Sequence, residues 1–285
     1  MQFTKMQGCG NDYIYINCFK EEVKDPSQLA LKLSNRHYGI GGDGIVLIEP
    51  SDKADFFMSM YNADGSRAEM CGNAIRCVGK YVYERRMTDK TKLAIDTLAG
   101  LKFLELKIEN ESDDDRQVSC VRVNMGNPIL EPKFIPVLSR GYMVIHEEIR
   151  IDHNTYNITC VSMGNPHAVV FVDDVKGLNL EEIGPKFEHH TIFPKRTNTE
   201  FVQIGDRNHI IMRVWERGSG ETLACGTGAC ASVVAGILEK RLEEHVTVEL
   251  LGGNLEIFYD QTTNIVYMTG PAVEVFTGVI DESIY

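Results

Sequence analysis

The sequence predicts an α+β protein of two similar domains, each a curved, mostly antiparallel sheet around one central helix. The first observation is an internal repeat, because Cys71-Gly72 and Cys225-Gly226 each stand directly before an amphipathic helix and lie 154 residues apart, about one domain length. The second is the excess of strand patterns over helix patterns in both halves, without the regular strand–helix alternation of a Rossmann fold. The third is the length of 285 residues, which suits two domains with separate cores.

The first half begins with two strands over residues 2–18, joined by a glycine-containing loop at residues 7–12. Asp25, Pro26 and Gln28 predict the start of a helix. The glycine-rich residues 39–44 do not match G-x-G-x-x-G, and no P-loop lysine follows them, so a nucleotide site is not expected. They predict a loop at which another part of the chain can approach the backbone closely. Strands follow at 45–48 and 55–61, then the helix after Cys71, then strands near 93–97, 100–109 and 117–125. The acidic residues 110–115 predict a solvated hairpin turn rather than a calcium site.

The second half repeats this strand-rich pattern. Strands are predicted at 158–162, 168–172, 201–204 and 210–215, and Asn179 is predicted to cap a helix over 180–190 that is interrupted at Gly184-Pro185. The second amphipathic helix follows Gly226, and strands at 246–250, 254–260 and 264–269 form a meander. The final strand, within 270–278, is predicted to return to the first domain. The domains are therefore expected at residues 1–125 plus 271–285 and at residues 126–270.

Composition excludes several classes of protein. An apolar content of 43% predicts a globular chain, and a net charge of −12 argues against nucleic-acid binding and against docking on anionic membranes. The eight cysteines are dispersed and form no C-x-x-C pair, so neither a disulfide scaffold nor a metal site is expected. No targeting segment and no stretch of membrane-spanning length is visible. A cytoplasmic protein fits these features.

The two repeated cysteines are the candidate reactive groups. A thiol at a helix N-terminus lies near unpaired N–H groups and the positive end of the helix dipole, which lower its pKa and favour reactivity. The same N–H groups can bind a carboxylate. A lone Cys-Gly is more often a small buried structural residue, but two such sites in equivalent contexts favour a shared functional site.

A set of motifs resembles the diaminopimelate epimerase family over nearly the whole chain. The matching motifs are Cys71-Gly72-Asn73, Asn165-Pro166-His167, Asn198, Glu216-Arg217 and Cys225-Gly226-Thr227-Gly228. The resemblance implies two pseudo-symmetric, β-barrel-like domains, each around a central helix. It also implies a reaction that interconverts LL- and meso-diaminopimelate without a cofactor, in lysine and cell-wall precursor synthesis. A homodimer is compatible with it.

The resemblance also implies roles for individual residues. Inversion at a carbon needs one group that removes a proton and another that returns a proton to the opposite face, and Cys71 and Cys225 match these groups. His167 and Glu216 match residues that assist the thiols. The matching substrate ligands are Asn11, Asn62, Gly72, Asn73, Asn165, Asn198, Glu216, Arg217, Gly226 and Thr227. Many family members have glutamine where this chain has Gly44, which leaves that contact in doubt.

Several alternatives remain open from the sequence. Asn62 and Asn165 also fit ordinary turn positions, and His167 also fits a hydrogen-bonded histidine at the start of a strand. Proline and hydroxyproline racemases share the fold and also use two cysteine thiols, although they usually have histidine where Asn73 stands. A phenazine-type isomerase would lack the cysteine pair. Among proteins that are not enzymes, a catalytically inactive amino-acid-binding protein or a redox sensor could also use two thiols at helix N-termini.

Overall fold

A computed structural model describes residues 1–111 and 116–281 of the chain. Residues 112–115 of the predicted acidic turn and 282–285 of the predicted first domain lie outside the described residues. The chain divides into two units, one formed by Met1–Val123 with Thr269–Tyr285 and the other by Asn124–Met268. Strands dominate both units and helices are few, which confirms the predicted α+β class.

The first unit contains two helices and most of nine strands. They are β1 (Gln2–Gly8), β2 (Asn11–Asn17), α1 (Pro26–Leu33), β3 (Gly44–Glu49), β4 (Phe56–Asn62), β5 (Arg67–Ala68), α2 (Gly72–Glu84), β6 (Lys92–Asp96), β7 (Lys102–Glu111), β8 (Arg116–Gly126) and, from the C-terminal segment, β18 (Val273–Val279). Most strand pairs are antiparallel, and β2–β3 and β4–β6 are parallel. The last strand, β18, pairs with β1.

Helix α2 is the core helix of this unit. Eleven of its thirteen residues are buried, and it packs against β1, β2 and β7. Helix α1 begins as predicted, since the Asp25 side chain accepts a hydrogen bond from the Gln28 N–H at 3.1 Å. The sheet around α2 therefore fixes the position of the helix start at Cys71.

The second unit contains two further helices and the remaining strands. They are β9 (Glu147–Ile151), β10 (Asn154–Ser162), β11 (Pro166–Phe171), α3 (Leu180–Glu188), β12 (Asn198–Asp206), β13 (His209–Glu216), β14 (Gly220–Thr222), α4 (Gly226–Leu238), β15 (His245–Leu250), β16 (Gly253–Asp260) and β17 (Ile265–Gly270). Antiparallel pairs again predominate, with β11–β12 and β13–β15 parallel. Helix α4 packs against β10, β11, β12 and β16.

The repeat seen in the sequence extends to the strand register. Tyr13 pairs with Gly44 across the parallel strands β2 and β3, and the residues 154 positions later, His167 and Asn198, pair across β11 and β12. The same offset relates the β4–β5 pairing to the β13–β14 pairing and Cys71 to Cys225. Residues related by this offset are therefore structurally equivalent, which allows one unit to serve as a reference for the other.

Some predicted details were wrong. Helix α3 is not interrupted at Gly184-Pro185, since Pro185 lies inside the helix. Gly184 instead lets Trp215 approach, because a Cβ at Gly184 would be 2.3 Å from the indole. Asn179 holds the N-cap position without a side-chain capping bond. The short strands β5 and β14 and the strand β9 were not predicted. None of the helices in the described residues has the length and apolar character needed to cross a membrane.

Candidate active site

Cys71 lies at the start of α2 in the first unit. It is the N-cap residue in an extended conformation, with φ −131° and ψ 124°. Its half-buried thiol donates to Oδ1 of Asn11, with Sγ and Oδ1 3.1 Å apart. The N–H groups of Gly72 and Asn73 begin the helix, where the amides have no acceptor within the helix. The structure thus brings Asn11, Cys71 and two predicted amide donors together.

Asp43 holds Asn11 in this orientation. The Asn11 amide nitrogen donates to Asp43 Oδ2 at 2.7 Å, which leaves the amide oxygen facing the thiol. Arg36 donates to both Asp12 and Asp43 and stabilises the two carboxylates. Asp43 was not among the predicted site residues, although it lies at the end of the glycine-rich loop of residues 39–44. Its position next to Asn11 depends on the parallel pairing of β2 with β3, which the sequence did not reveal.

The other predicted residues of the first unit differ in their environments. Asn73 is buried, and its amide oxygen has no hydrogen-bond partner within residues 1–111 and 116–281. Asn62 donates from its amide to Ser66 Oγ at 3.0 Å, as the turn interpretation expects. Gly44 pairs with Asn62 across β3 and β4, and a Cβ at Gly44 would lie 2.0 Å from the Tyr61 carbonyl oxygen. A glutamine side chain at residue 44 would therefore not fit this backbone.

Cys225 occupies the equivalent position at the start of α4. It is also an N-cap residue in an extended conformation, and its side chain is buried with 6% exposed. Its sulfur accepts from the Gly228 N–H at 3.4 Å and lies 3.5 Å from the Thr227 hydroxyl. The Gly226 and Thr227 amides begin this helix, as those of Gly72 and Asn73 begin α2.

His167 and Glu200 lie next to Cys225 and are fully buried. His167 Nδ1 is 2.7 Å from Glu200 Oε1, and Nε2 is 3.0 Å from Asn165 Oδ1. One atom each from His167, Glu200 and Cys225 lie within 4.8 Å of one another. Such a cluster can also attract a metal ion, but the 2.7 Å separation of His167 Nδ1 and Glu200 Oε1 is that of a direct hydrogen bond. We therefore interpret it as a proton-transfer cluster.

Glu216 is the second carboxyl group beside the thiol. Its side chain accepts a short hydrogen bond from the Thr222 hydroxyl, which β14 places opposite the end of β13. Burial raises the pKa of Glu216, while the Thr222 hydrogen bond opposes that shift. The Cys225 thiol lies close enough to this carboxyl group for the two to interact electrostatically. Thr222 was not among the predicted site residues.

The expected lowering of the thiol pKa was wrong for Cys225. Burial raises the pKa of Cys225 well above its ordinary value, and the negative charges of Glu216 and Glu200 raise it further. Hydrogen bonds from Thr227 and the Gly228 amide act in the opposite direction but are weaker. The helix terminus alone therefore does not set the protonation of this thiol, because two carboxyl groups, those of the buried Glu200 and the partly buried Glu216, lie beside it.

Asn198 connects strand β12 with the turn that carries Arg217. Its amide nitrogen donates to the Pro166 carbonyl at 2.9 Å, and its amide oxygen accepts from the Arg217 backbone N–H at 2.9 Å. The exposed Arg217 guanidinium donates to the Lys195 carbonyl at 3.1 Å, which leaves most of its donors available to a ligand. Asn198 thus holds the backbone at Arg217 in place.

The raised pKa of Cys225 gives a test based on alkylation. A raised pKa means that less thiolate is present at neutral pH, so iodoacetamide should modify Cys225 slowly there and faster as the pH rises. Glu216→Gln removes a neighbouring negative charge, which should lower the Cys225 pKa and speed its modification at neutral pH. Mass spectrometry of the peptide containing Cys225 measures the rate. An unchanged or lower rate in the variant would contradict this electrostatic account.

Comparisons with known proteins agree with the resemblance seen in the sequence. The family model described as diaminopimelate epimerase matches residues 3–131 and 159–275. A diaminopimelate epimerase of Agathobacter rectalis is 58% identical over 288 residues, covering 99% of both chains. One of Methanococcus maripaludis is 55% identical over 281 residues, covering 99% of this chain and 100% of the relative.

A likeness in fold extends to a more distant solved structure. A hydroxyproline epimerase from Agrobacterium vitis has a TM-score of 0.65 at 14% identity, covering 98% of this chain and 90% of the other. At that identity the likeness concerns the fold alone, whereas the family model and the two relatives cover nearly the whole sequence. The chain therefore belongs to the diaminopimelate epimerase family.

Proposed function

We propose that this protein is a cofactor-independent diaminopimelate epimerase that interconverts LL- and meso-diaminopimelate in lysine and cell-wall precursor synthesis. The observation that carries the proposal is the pair of N-cap cysteines, Cys71 and Cys225, at equivalent positions in a family member that matches its relatives over its full length. Epimerisation of an amino acid needs an acid and a base, and thiols at helix starts can supply both.

Cys71 and Cys225 are the proposed acid–base pair. In one direction a thiolate takes the α-proton, the electron pair of the broken C–H bond moves toward the carboxylate, and the other thiol returns a proton to the opposite face. The reverse reaction exchanges the two roles. His167 and Glu216 assist the Cys225 thiol, which lies beside both groups.

Backbone amides are proposed to stabilise the charge that develops on the substrate carboxylate. The donors are the first N–H groups of α2 and α4, at Gly72, Asn73, Gly226 and Thr227, which have no acceptor inside their helices. Removing one donor of this type typically costs about 3–4 kcal/mol of transition-state stabilisation. Asn11, Asn62, Asn165, Asn198, Glu216 and Arg217 are the proposed side-chain ligands, with Arg217 binding a carboxylate.

The remaining expectations concern partners and location. The proposed partner is the substrate alone, without nucleic acid or membrane, since the chain carries a net charge of −12. A cytoplasmic location suits thiols that must stay reduced for acid–base chemistry. A homodimer is compatible with the proposal.

A stereospecific assay tests the proposed function. Purified protein, without added cofactor, is incubated with LL-diaminopimelate or with L-proline, and the stereoisomers are separated by chiral chromatography. We expect meso-diaminopimelate to form and L-proline to remain unchanged. Racemisation of proline with no turnover of diaminopimelate would favour the racemase alternative, and no reaction with either would leave a binding protein or redox sensor.

A further inference from the structure

Glu200 is a fully buried carboxylate next to the candidate active site, and no sequence motif pointed to it. It lies on β12, where it pairs with Val169 of β11 and Val214 of β13. One oxygen, Oε1, contacts His167 Nδ1 at 2.7 Å, and the other has no hydrogen-bond partner in the described chain. Burying a carboxylate is costly unless it is paired, so its place in this core calls for a role.

Gly228 provides the space for this carboxylate. A Cβ at Gly228 would lie 2.6 Å from Glu200 Oε1 and 3.1 Å from its Cγ. The glycine of the Cys225-Gly226-Thr227-Gly228 motif therefore allows Glu200 to pack against the first turn of α4. The same turn carries Cys225, so the helix start accommodates the thiol and the carboxylate together.

The hydrogen bonds of His167 fix the orientation of its ring. One ring nitrogen contacts Glu200 Oε1 on β12 at 2.7 Å, and the other contacts Asn165 Oδ1, just before β11, at 3.0 Å. The ionisable groups facing this ring and its carboxylate are Glu216 on β13, Cys225 at the start of α4 and Cys160 on β10.

The other unit shows that this topology does not require a carboxylate here. Val46 is equivalent to Glu200, since it pairs with Tyr15 as Glu200 pairs with Val169, and it is fully buried. Tyr13 is likewise equivalent to His167 and is buried. The histidine–glutamate pair is thus a feature of the Cys225 side alone.

We propose that Glu200 is a positioning residue that keeps the His167 ring oriented beside Cys225, so that the imidazole can exchange a proton with the thiol. The inference rests on the proposed function, because it assigns Glu200 a part in the same reaction. Glu200 acts through His167 and does not touch the substrate.

The test compares Glu200→Gln with two further variants. Glutamine keeps the shape and an acceptor for Nδ1 but removes the charge, so kcat should fall about 10–100-fold with little change in KM. Glu200→Asp retains the charge and should recover part of kcat. Glu239→Gln removes a buried carboxylate at the other end of α4, about 20 Å away, and should leave kcat and KM unchanged.

A readout independent of turnover separates this inference from the proposed function. The contact between His167 Nδ1 and Glu200 can be followed by NMR of ¹⁵N-histidine-labelled protein, with His167→Asn used to assign the signal. We expect the Nδ1 resonance to shift in Glu200→Gln, because its partner loses its charge, and to return toward the wild-type position in Glu200→Asp. An active wild type whose His167 resonances and kcat are unchanged by Glu200→Gln would overturn the inference, even if the variant were less stable. A wild type without epimerase activity would instead overturn the proposed function.

Discussion

Replacing Cys71 or Cys225 with alanine is expected to lower kcat for epimerisation by about 10³-fold or more in each single variant. Each thiol supplies one of two proton transfers that must occur on opposite faces of the same carbon, so the remaining thiol cannot replace the missing one. The assay follows meso-diaminopimelate formed from LL-diaminopimelate, and circular dichroism verifies that the variants remain folded.

Cys120→Ala is the matched control. Cys120 is a half-buried cysteine on β8, outside the candidate active site, and its loss should leave kcat within about twofold of the wild type. Comparable activity in Cys71→Ala or Cys225→Ala would remove that thiol from the mechanism. Equal losses in all three variants would point to a general effect of removing a cysteine rather than to catalysis.

Gly228→Ala is expected to reduce both stability and activity. Alanine is favoured over glycine inside a helix by about 0.5–1 kcal/mol. Overpacking a buried site costs about 1–3 kcal/mol, and the new Cβ would lie 2.6 Å from a buried Glu200 oxygen. The overpacking term is the larger, so the free energy of unfolding should fall. Displacing Glu200 should also disturb His167 and lower kcat by about 10²-fold.

A double variant distinguishes this clash from a general effect on the helix. Glu200→Ala removes the side chain that the new methyl group meets, so the free-energy loss in Glu200→Ala/Gly228→Ala should be smaller than the sum of the two single losses. Urea denaturation of the four proteins gives the cycle. Additive losses would mean that residue 228 does not contact Glu200. Gly236→Ala is the control. Gly236 lies further along α4, and a Cβ there would meet the Leu242 side chain instead of Glu200, so its free-energy loss should be additive with that of Glu200→Ala.

Much of the fold was accessible from the sequence because its signals are local. Hydrophobic periodicity located α2 and α4, and the Asp25-Pro26 start located α1. The repeat of Cys71 at Cys225 predicted two similar halves, which the shared strand register confirms. Strands of two or three residues, such as β5 and β14, are too short to leave a periodic pattern, and the continuity of α3 depends on packing between Gly184 and Trp215.

The candidate site was accessible only where its residues lie in motifs. Cys71, Cys225 and His167 stand in such motifs, whereas Asp43 and Glu200 are ordinary acidic residues at strand starts until the parallel pairings bring them to Asn11 and His167. A signal for Glu200 was present, since the offset of 154 residues relates it to Val46 in an apolar strand. The raised pKa of Cys225 also depends on burial and on the carboxyl groups of Glu200 and Glu216, which come from other strands of the fold. No local sequence pattern encodes their position beside the thiol.

Deuterium incorporation during the first turnovers tests the central claim of two thiol acid–base groups most directly. LL-diaminopimelate is converted in deuterium oxide, and product and recovered substrate are analysed by mass spectrometry at low conversion. Two separate groups predict one deuterium in meso-diaminopimelate and almost none in the recovered substrate, because the solvent-derived proton arrives on the opposite face. Deuterium in the recovered substrate at a level similar to that in the product, or a product without deuterium, would contradict the account.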